Sequence, residues 1–103
     1  MDKDQLIEEI IKKLHEVYDP EIPVNIYDLG MVYNVDVDEE NNAKIIMTLT
    51  SPNCPAVDMI LADVESQAKS VDGINGAVVE ITFDPPWDKS MMSEEARLEL
   101  GFF

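Results

Sequence analysis

This 103-residue sequence is poor in three kinds of residue: it has one cysteine, one histidine and seven lysines and arginines. One cysteine excludes a disulfide within the chain, and one thiolate does not make an ordinary metal site, which takes about four ligands. Seven basic residues against 22 acidic ones give a formal charge of −15. That charge repels phosphate backbones and anionic lipid surfaces, so we expect neither nucleic acid nor membrane as a partner. No apolar run approaches the roughly 20 residues of a membrane-spanning helix.

The length and composition predict a single domain over residues 1–103. Hydrophobic residues make up 46% and charged residues 28%, as in ordinary globular domains with one core. The opening stretch "MDKDQLIEEI" is acidic and periodic, whereas a signal peptide is basic and then apolar. One cysteine and no expected secretory signal together predict a reducing, cytoplasmic location.

Apolar residues recur every three to four positions in two stretches, which predicts two amphipathic helices. The first stretch begins with a capping box at Asp2 and ends at Asp19-Pro20. The second begins at Cys54-Pro55, since proline is favoured in a first turn, and ends before "DGING". A short third helix is expected from the cap Ser93 to Gly101. The apolar stripes are Leu6, Ile7, Ile10, Ile11, Leu14, Val17 and Tyr18, and then Val57, Ile60, Leu61, Val64, Ala68 and Val71.

Apolar residues alternate with polar ones in three other stretches, 31–38, 44–50 and 77–83, which predicts three strands. "DEENNAK" joins the first two as a hairpin, and the prolines of "FDPPW" end the third. The order α-β-β-α-β-α predicts an α+β two-layer sandwich, with a small mixed sheet of three strands covered by helices. The strands on either side of the second helix are expected to be parallel, joined by a right-handed crossover.

Cys54 lies where the second strand gives way to the second helix. The free N–H groups and the positive end of that helix favour thiolate, the nucleophilic and metal-binding form. The overall negative charge opposes this, but exposed charges beyond about 10 Å are largely screened at 0.1 M salt. We therefore expect a modestly activated thiol. The residue type alone also allows a buried core cysteine, and both interpretations stay open.

Two other features bear on chemistry. The single histidine, His15, is expected on the solvated face of the first helix, so a thiol enzyme has no evident base. Near the end of the chain, Trp87, Met91 and Met92 predict either a hydrophobic staple or an exposed docking surface.

Three stretches together resemble the SufT/PaaD-like family of metal–sulfur cluster assembly factors. They are "DPEIPVNIYDLGMVYNVDV", "MTLTSPNCP" and "FDPPWDKSMMSEEARLELG", and the resemblance covers nearly the whole length. It implies the fold of iron–sulfur cluster assembly domains and an accessory or carrier role in maturing Fe–S proteins. It places the family's reactive cysteine on Cys54, with Thr50 and Pro55 beside it, and the aspartate of "DLG" on Asp28 as supporting residues. The phenylacetate-oxygenase branch usually carries a cysteine-rich extension that this sequence does not contain, so that branch is not expected.

The resemblance implies a non-enzymatic protein whose cargo is a transient Fe–S cluster or iron, although no metal at rest fits equally well. Clusters are commonly held by four thiolates, so one cysteine per chain favours brief contact during handover. The implied partners are Fe–S scaffold or carrier proteins and client apo-proteins, and a homodimer sharing a cluster is a further option. Two alternatives stay open: an interaction module with a structural cysteine, and a small thiol-dependent enzyme.

Overall fold

A computed structural model describes residues 2–18, 24–49 and 57–101 of the chain. The elements occur in the predicted order α-β-β-α-β-α, with one extra turn of 3₁₀ helix before the last helix. They are α1 (Lys3–Leu14), β1 (Val32–Val37), β2 (Asn42–Met47), α2 (Val57–Lys69), β3 (Gly76–Ile81), the 3₁₀ helix (Lys89–Met91) and α3 (Glu94–Leu100). Within these ranges, no helix has the length and apolar character needed to cross a membrane.

The sheet is mixed, as predicted, with strand order β1-β2-β3. β1 and β2 form the antiparallel hairpin, with a bulge between Val32 and Asn34. β2 and β3 are parallel and in register from Asn42 opposite Gly76 to Met47 opposite Ile81. The predicted parallel pair is therefore confirmed, and it brings the carboxyl ends of β2 and β3 to one edge of the sheet.

Helices α1 and α2 pack together over one face of this sheet and enclose the core. Most stripe residues of the two helices pack against inward residues of the strands, as predicted. Tyr18, predicted as part of the first stripe, is instead 54% exposed, because the chain has left the helix there and pairs with Asn25. The most deeply buried large side chains include Leu6, Ile10, Leu14, Ile26, Leu29, Met31, Ile45, Met47, Ile60 and Val64.

The caps of α1 and α3 follow the sequence prediction. The side chain of Asp2 accepts from the Gln5 amide at 2.8 Å, and the Gln5 side chain accepts from the Asp2 amide at 3.1 Å, which completes a capping box. Ser93 caps α3 by accepting from the Ala96 amide, and Gly101 closes that helix at φ 77°.

Three segments were predicted to be longer than they are: α1, β3 and the hairpin turn. α1 ends at Leu14, because the carbonyl of Val17 accepts from the Ile26 amide and the chain turns towards residue 25. β3 ends at Ile81, and Phe83 is exposed beyond a turn in which the Thr82 hydroxyl accepts from the Asp84 amide. The hairpin turn is also tighter than "DEENNAK", since β2 already begins at Asn42. The predicted helix ends at Asp19-Pro20 and Cys54-Pro55 lie outside the described residues.

Asp38 holds the hairpin turn together. Its Oδ1 accepts from the amides of Glu40 and Asn42, both at 2.9 Å. The Asn42 amide lowers the pKa of Asp38 most, partial desolvation opposes it, and the Glu40 amide lowers it further. Because the folded-state pKa lies below the ordinary value, the carboxylate stabilises the fold above that value, and this contribution is lost as pH falls through the folded pKa.

We therefore expect Asp38→Asn to be less stable than the wild type at pH 6, with the difference shrinking as pH falls below about 4. Urea denaturation of both proteins at each pH unit from 6 to 3 measures this. Asp63→Asn, on the exposed face of α2, controls for the loss of one negative charge. A difference that stays constant over this pH range would show that the Asp38 charge does not stabilise the turn.

Candidate functional site

Three connecting segments leave the same edge of the sheet. Residues 24–31 lead into β1, whose first residue pairs with Met47. Residues 48–56 follow β2, and residues 82–93 follow β3, whose last residue also pairs with Met47. Each of these segments overlaps one of the three stretches that carry the family resemblance. Parallel sheets commonly bind ligands beyond the carboxyl ends of their strands, so this edge is the candidate site.

The second of these segments carries Cys54, Thr50 and Pro55. All three lie outside the described residues, so their predicted roles stay predictions. Both ends of the segment are described: Leu49 is buried before it, and α2 begins at Val57 after it. The Thr48 amide donates to the Met31 carbonyl at 2.7 Å, which ties the start of the segment to the "DLG" turn.

Asp28 lies in a hydrogen-bonded turn built with Asn25. The Asn25 side chain donates to Asp28 Oδ2 at 2.8 Å, and the Asp28 amide donates back to Asn25 Oδ1 at 2.8 Å. The Gly30 amide closes the turn on the Tyr27 carbonyl, and Leu29 is fully buried beneath it. These contacts give Asp28 a structural role in shaping the turn.

His15 lies at the C-cap of α1 and faces this turn, whereas the sequence suggested the helix face. Its side chain is 40% exposed, so the expected contact with solvent is partly retained. Its Nδ1 lies 2.8 Å from the Ile11 carbonyl, and its Nε2 lies 3.8 Å from Asp28 Oδ1. Its ring is tilted against Tyr27, with ring centroids 4.6 Å apart. The sequence did not predict the contact between His15 and Asp28, because the two residues lie on different elements. Only the position of His15 near the end of the helical stripe hinted at a capping role.

The third segment, residues 82–93, closes over the turn and binds its main chain. The indole N–H of Trp87 donates to the Leu29 carbonyl at 2.7 Å, and the Ser93 amide donates to the Asp28 carbonyl at 2.8 Å. Met91 covers Gly30 so closely that a Cβ atom on Gly30 would lie 2.8 Å from Met91 Cβ and overlap the Met91 carbonyl. The "DLG" and "WDKSMMS" stretches thus form one structural unit.

The prediction for Trp87, Met91 and Met92 has one outcome for Met92 and another for the other two residues. Met92 is buried at 3% exposure and belongs to the core, so its assignment to a docking surface was wrong. Its apolar side chain is more stable beneath the segment than in water. Trp87 and Met91 are half-buried and fit the staple interpretation, and their use in docking stays a prediction.

A cavity of about 300 Å³ opens beside the turn. It is lined by Tyr18, Val24, Asn25, Asp28, Glu95, Ala96 and Glu99. Although three of these are acidic, no group of three or more His, Cys, Asp or Glu side chains in the described part of the chain is placed to hold a metal ion.

A three-stranded mixed sheet with two covering helices, and a cysteine between β2 and α2 in the sequence, define a class of small α+β domains. Comparison with known proteins places the chain within that class. Residues 7–83 match the family model described as iron-sulfur cluster assembly protein, and the chain belongs to this family. Residues 84–101, which include the part that closes over the turn, lie beyond the matched region.

Individual relatives agree with this assignment. The chain is 56% identical over 98 residues to a Porphyromonas gingivalis protein named Fe-S protein maturation auxiliary factor, covering 95% of this chain and 93% of the relative. It is 41% identical over 85 residues to the Fe-S protein maturation auxiliary factor SufT of Staphylococcus aureus, covering 82% and 97%. The crystal structure of a domain of unknown function from Bacillus anthracis superposes with a TM-score of 0.92 at 38% identity, covering 98% and 96%. The expected family and fold are thereby confirmed.

Proposed function

We propose that this protein is an accessory or carrier factor in Fe–S cluster assembly, and that Cys54 makes transient contact with the cluster or iron. The observation that carries the proposal is family membership over residues 7–83, together with relatives named as Fe-S protein maturation auxiliary factors. Those names describe auxiliary proteins, which supports a non-enzymatic role. The partners we propose are scaffold or carrier proteins that supply the cargo and client apo-proteins that receive it, in the cytoplasm.

The geometry around the segment supports a thiol presented at the edge of the sheet. The segment has nine residues, 48–56, between the end of β2 at Met47 and the start of α2 at Val57. A helix N-terminus carries partial positive charge, which favours thiolate over thiol. The neighbouring turn is fixed by Asn25, Trp87 and Ser93, so one wall of the site is preorganised.

Ligand counting favours handover over storage. A cluster commonly takes four thiolates, and this chain has one cysteine. In the exchange we propose, the Cys54 thiolate replaces one donor thiolate on iron and is then replaced by a client thiolate. Each step forms one Fe–S bond and breaks one, without oxidation or reduction. A homodimer sharing the cluster would still need further ligands from outside.

Asp28, Thr50 and Pro55 have supporting roles in this proposal. Asp28 shapes the turn through Asn25 and faces His15. Thr50 and Pro55 flank the cysteine and would restrict the conformations of its segment, proline by fixing φ. Both ring nitrogens of His15 face groups of the described chain, the Ile11 carbonyl and the Asp28 carboxylate, which suits a structural role better than that of a catalytic base.

The test is client maturation in cells in which Cys54→Ser replaces the wild type. We expect the activity of Fe–S enzymes to fall to the level of a deletion strain, while the amount of the variant protein is unchanged. Cys54→Ala is the second variant, since serine retains a weak oxygen ligand. Normal Fe–S enzyme activity with both variants would contradict the role of Cys54 and favour an interaction module with a structural cysteine.

The proposal has two forms: a carrier that holds a cluster, and an adaptor that contacts the cluster only while it passes between partners. Anaerobic reconstitution with iron and sulfide distinguishes them. Visible absorption that appears with the wild type and not with Cys54→Ser indicates a carrier. Absence of absorption with both proteins, together with loss of client activity in cells, indicates an adaptor that contacts the cluster only between partners.

A further inference from the structure

The face of the sheet opposite α1 and α2 is exposed, and its side chains form two cross-strand rows. Strand register places Asp36, Lys44 and Val78 side by side in one row, and Asn34, Ile46 and Glu80 in the next. Val78 is 61% exposed although it is an apolar residue on a strand. α1 contacts β1 and α2 contacts β3 from the other face, so neither of these helices covers this one.

Both rows line shallow hollows that adjoin along the strands. The hollow at the first row has a volume of about 340 Å³ and includes Asp38. The hollow at the second row has a volume of about 490 Å³ and extends to Thr82, Asp84 and Pro85. Residues 82–85 leave the sheet at the edge where the segment carrying Cys54 begins, so the groove formed by the two hollows runs towards the candidate site.

The negative charge of the groove favours a basic occupant. Four carboxylates, those of Asp36, Asp38, Glu80 and Asp84, line it, and one lysine, Lys44, accompanies them. Lys44 lies 3.5 Å from Glu80, with both side chains more than half exposed, so this ion pair contributes little and is easily rearranged. A second copy of the chain would place like charges against one another, on top of a net charge of −15 on each copy.

We propose that this groove binds an extended basic segment of a partner protein, with lysine or arginine side chains meeting the carboxylates and an apolar side chain covering Val78 and Ile46. Extended segments suit this face because the side chains on one side of an extended chain recur every two residues, which is the spacing of the cross-strand rows. That the partner is an Fe–S donor or client rests on the proposed function; the binding chemistry does not. A segment seated in the groove would bring its protein beside the cysteine-bearing edge.

The probe is a fluorescein-labelled decapeptide, Lys-Lys-Val-Val-Lys-Lys-Val-Val-Lys-Lys, titrated with the full chain and followed by fluorescence anisotropy. In an extended conformation each of its faces alternates lysine and valine, so one face can meet both the carboxylates and the apolar residues. We expect Val78→Arg and Glu80→Lys each to weaken its binding by at least about tenfold. Two controls make the same substitutions elsewhere. Leu98→Arg alters an apolar residue on α3 of similar exposure, 55% against 61%, and Glu65→Lys alters a half-exposed, ion-paired glutamate on α2. Both controls should change the affinity by about twofold or less.

The outcomes separate this proposal from general attraction and from self-association. Equal weakening by the groove and control variants would show that net charge alone binds the probe, and no binding to the wild type would also overturn the proposal. Wild-type dimerisation that Val78→Arg abolishes would assign the groove to a second copy instead. Cys54→Ser should bind the probe as the wild type does, so a failure of the thiol role leaves the groove intact, and the reverse also holds.

Discussion

Gly30→Ala is expected to lower the free energy of unfolding by about 2–4 kcal/mol. Gly30 has φ 82°, which costs an alanine about 1–2 kcal/mol. The added methyl group would also overlap the Met91 carbonyl and lie 2.8 Å from Met91 Cβ. Because a backbone carbonyl cannot rotate away like the end of a side chain, the whole 3₁₀ helix has to shift. Guanidinium denaturation measures the loss.

Gly101→Ala is the matched control. Gly101 has a similar φ of 77°, but a Cβ atom there would meet nothing within 4 Å. Its substitution should cost only the backbone strain, about 1–2 kcal/mol. The chain has one tryptophan, so emission excited at 295 nm reports on Trp87 alone. We expect a red shift for Gly30→Ala and none for Gly101→Ala. Equal stability losses and unchanged emission in both variants would show that Met91 moves away from the added methyl group without disturbing the turn.

Leu29→Ala is expected to cost about 2–5 kcal/mol, the range for removing a fully buried leucine side chain. Leu29 is the middle residue of "DLG", and its side chain is completely buried in the core while its carbonyl accepts from Trp87. The truncation leaves a cavity directly beneath Asp28. The turn is therefore expected to lose its fixed geometry along with its stability.

Urea denaturation measures this loss, with Leu98→Ala as the control. Leu98 is 55% exposed, and its truncation should change stability by about 0.5 kcal/mol or less. A comparable loss in the two leucine variants would mean that Leu29 does not anchor the turn to the core.

Local chemistry explains which parts of the fold were predictable. Capping at Asp2 and Ser93 depends on neighbours three residues away, so it can be predicted from the local sequence. The parallel pairing of β2 and β3 follows from the helix between them. The end of α1 was predicted too late because Val17 and Tyr18 continue the helical spacing, and only pairing with residues 25–26 interrupts it.

The candidate site was less predictable because its contacts join distant parts of the chain. Family resemblance predicts Asp28 and Cys54 as site residues, but it gave no sign that Asn25 holds Asp28 and that His15 faces it. The bond from Trp87 to Leu29 spans 58 residues, and no local pattern distinguishes it from a solvent-exposed tryptophan. Met92 was misassigned for the same reason: two adjacent methionines give no sign of which one faces the core.

The closure of the turn by Trp87 and Ser93 has a consequence for synthesis of the protein. Contacts of such wide sequence separation form only after both partners are available, and loop-closure entropy makes them slow. A nascent chain therefore has no finished "DLG" turn until residue 93 has left the ribosome, well after the cysteine has emerged. The turn is thus completed late, and any function that depends on its closed geometry begins only after most of the described chain has been synthesised.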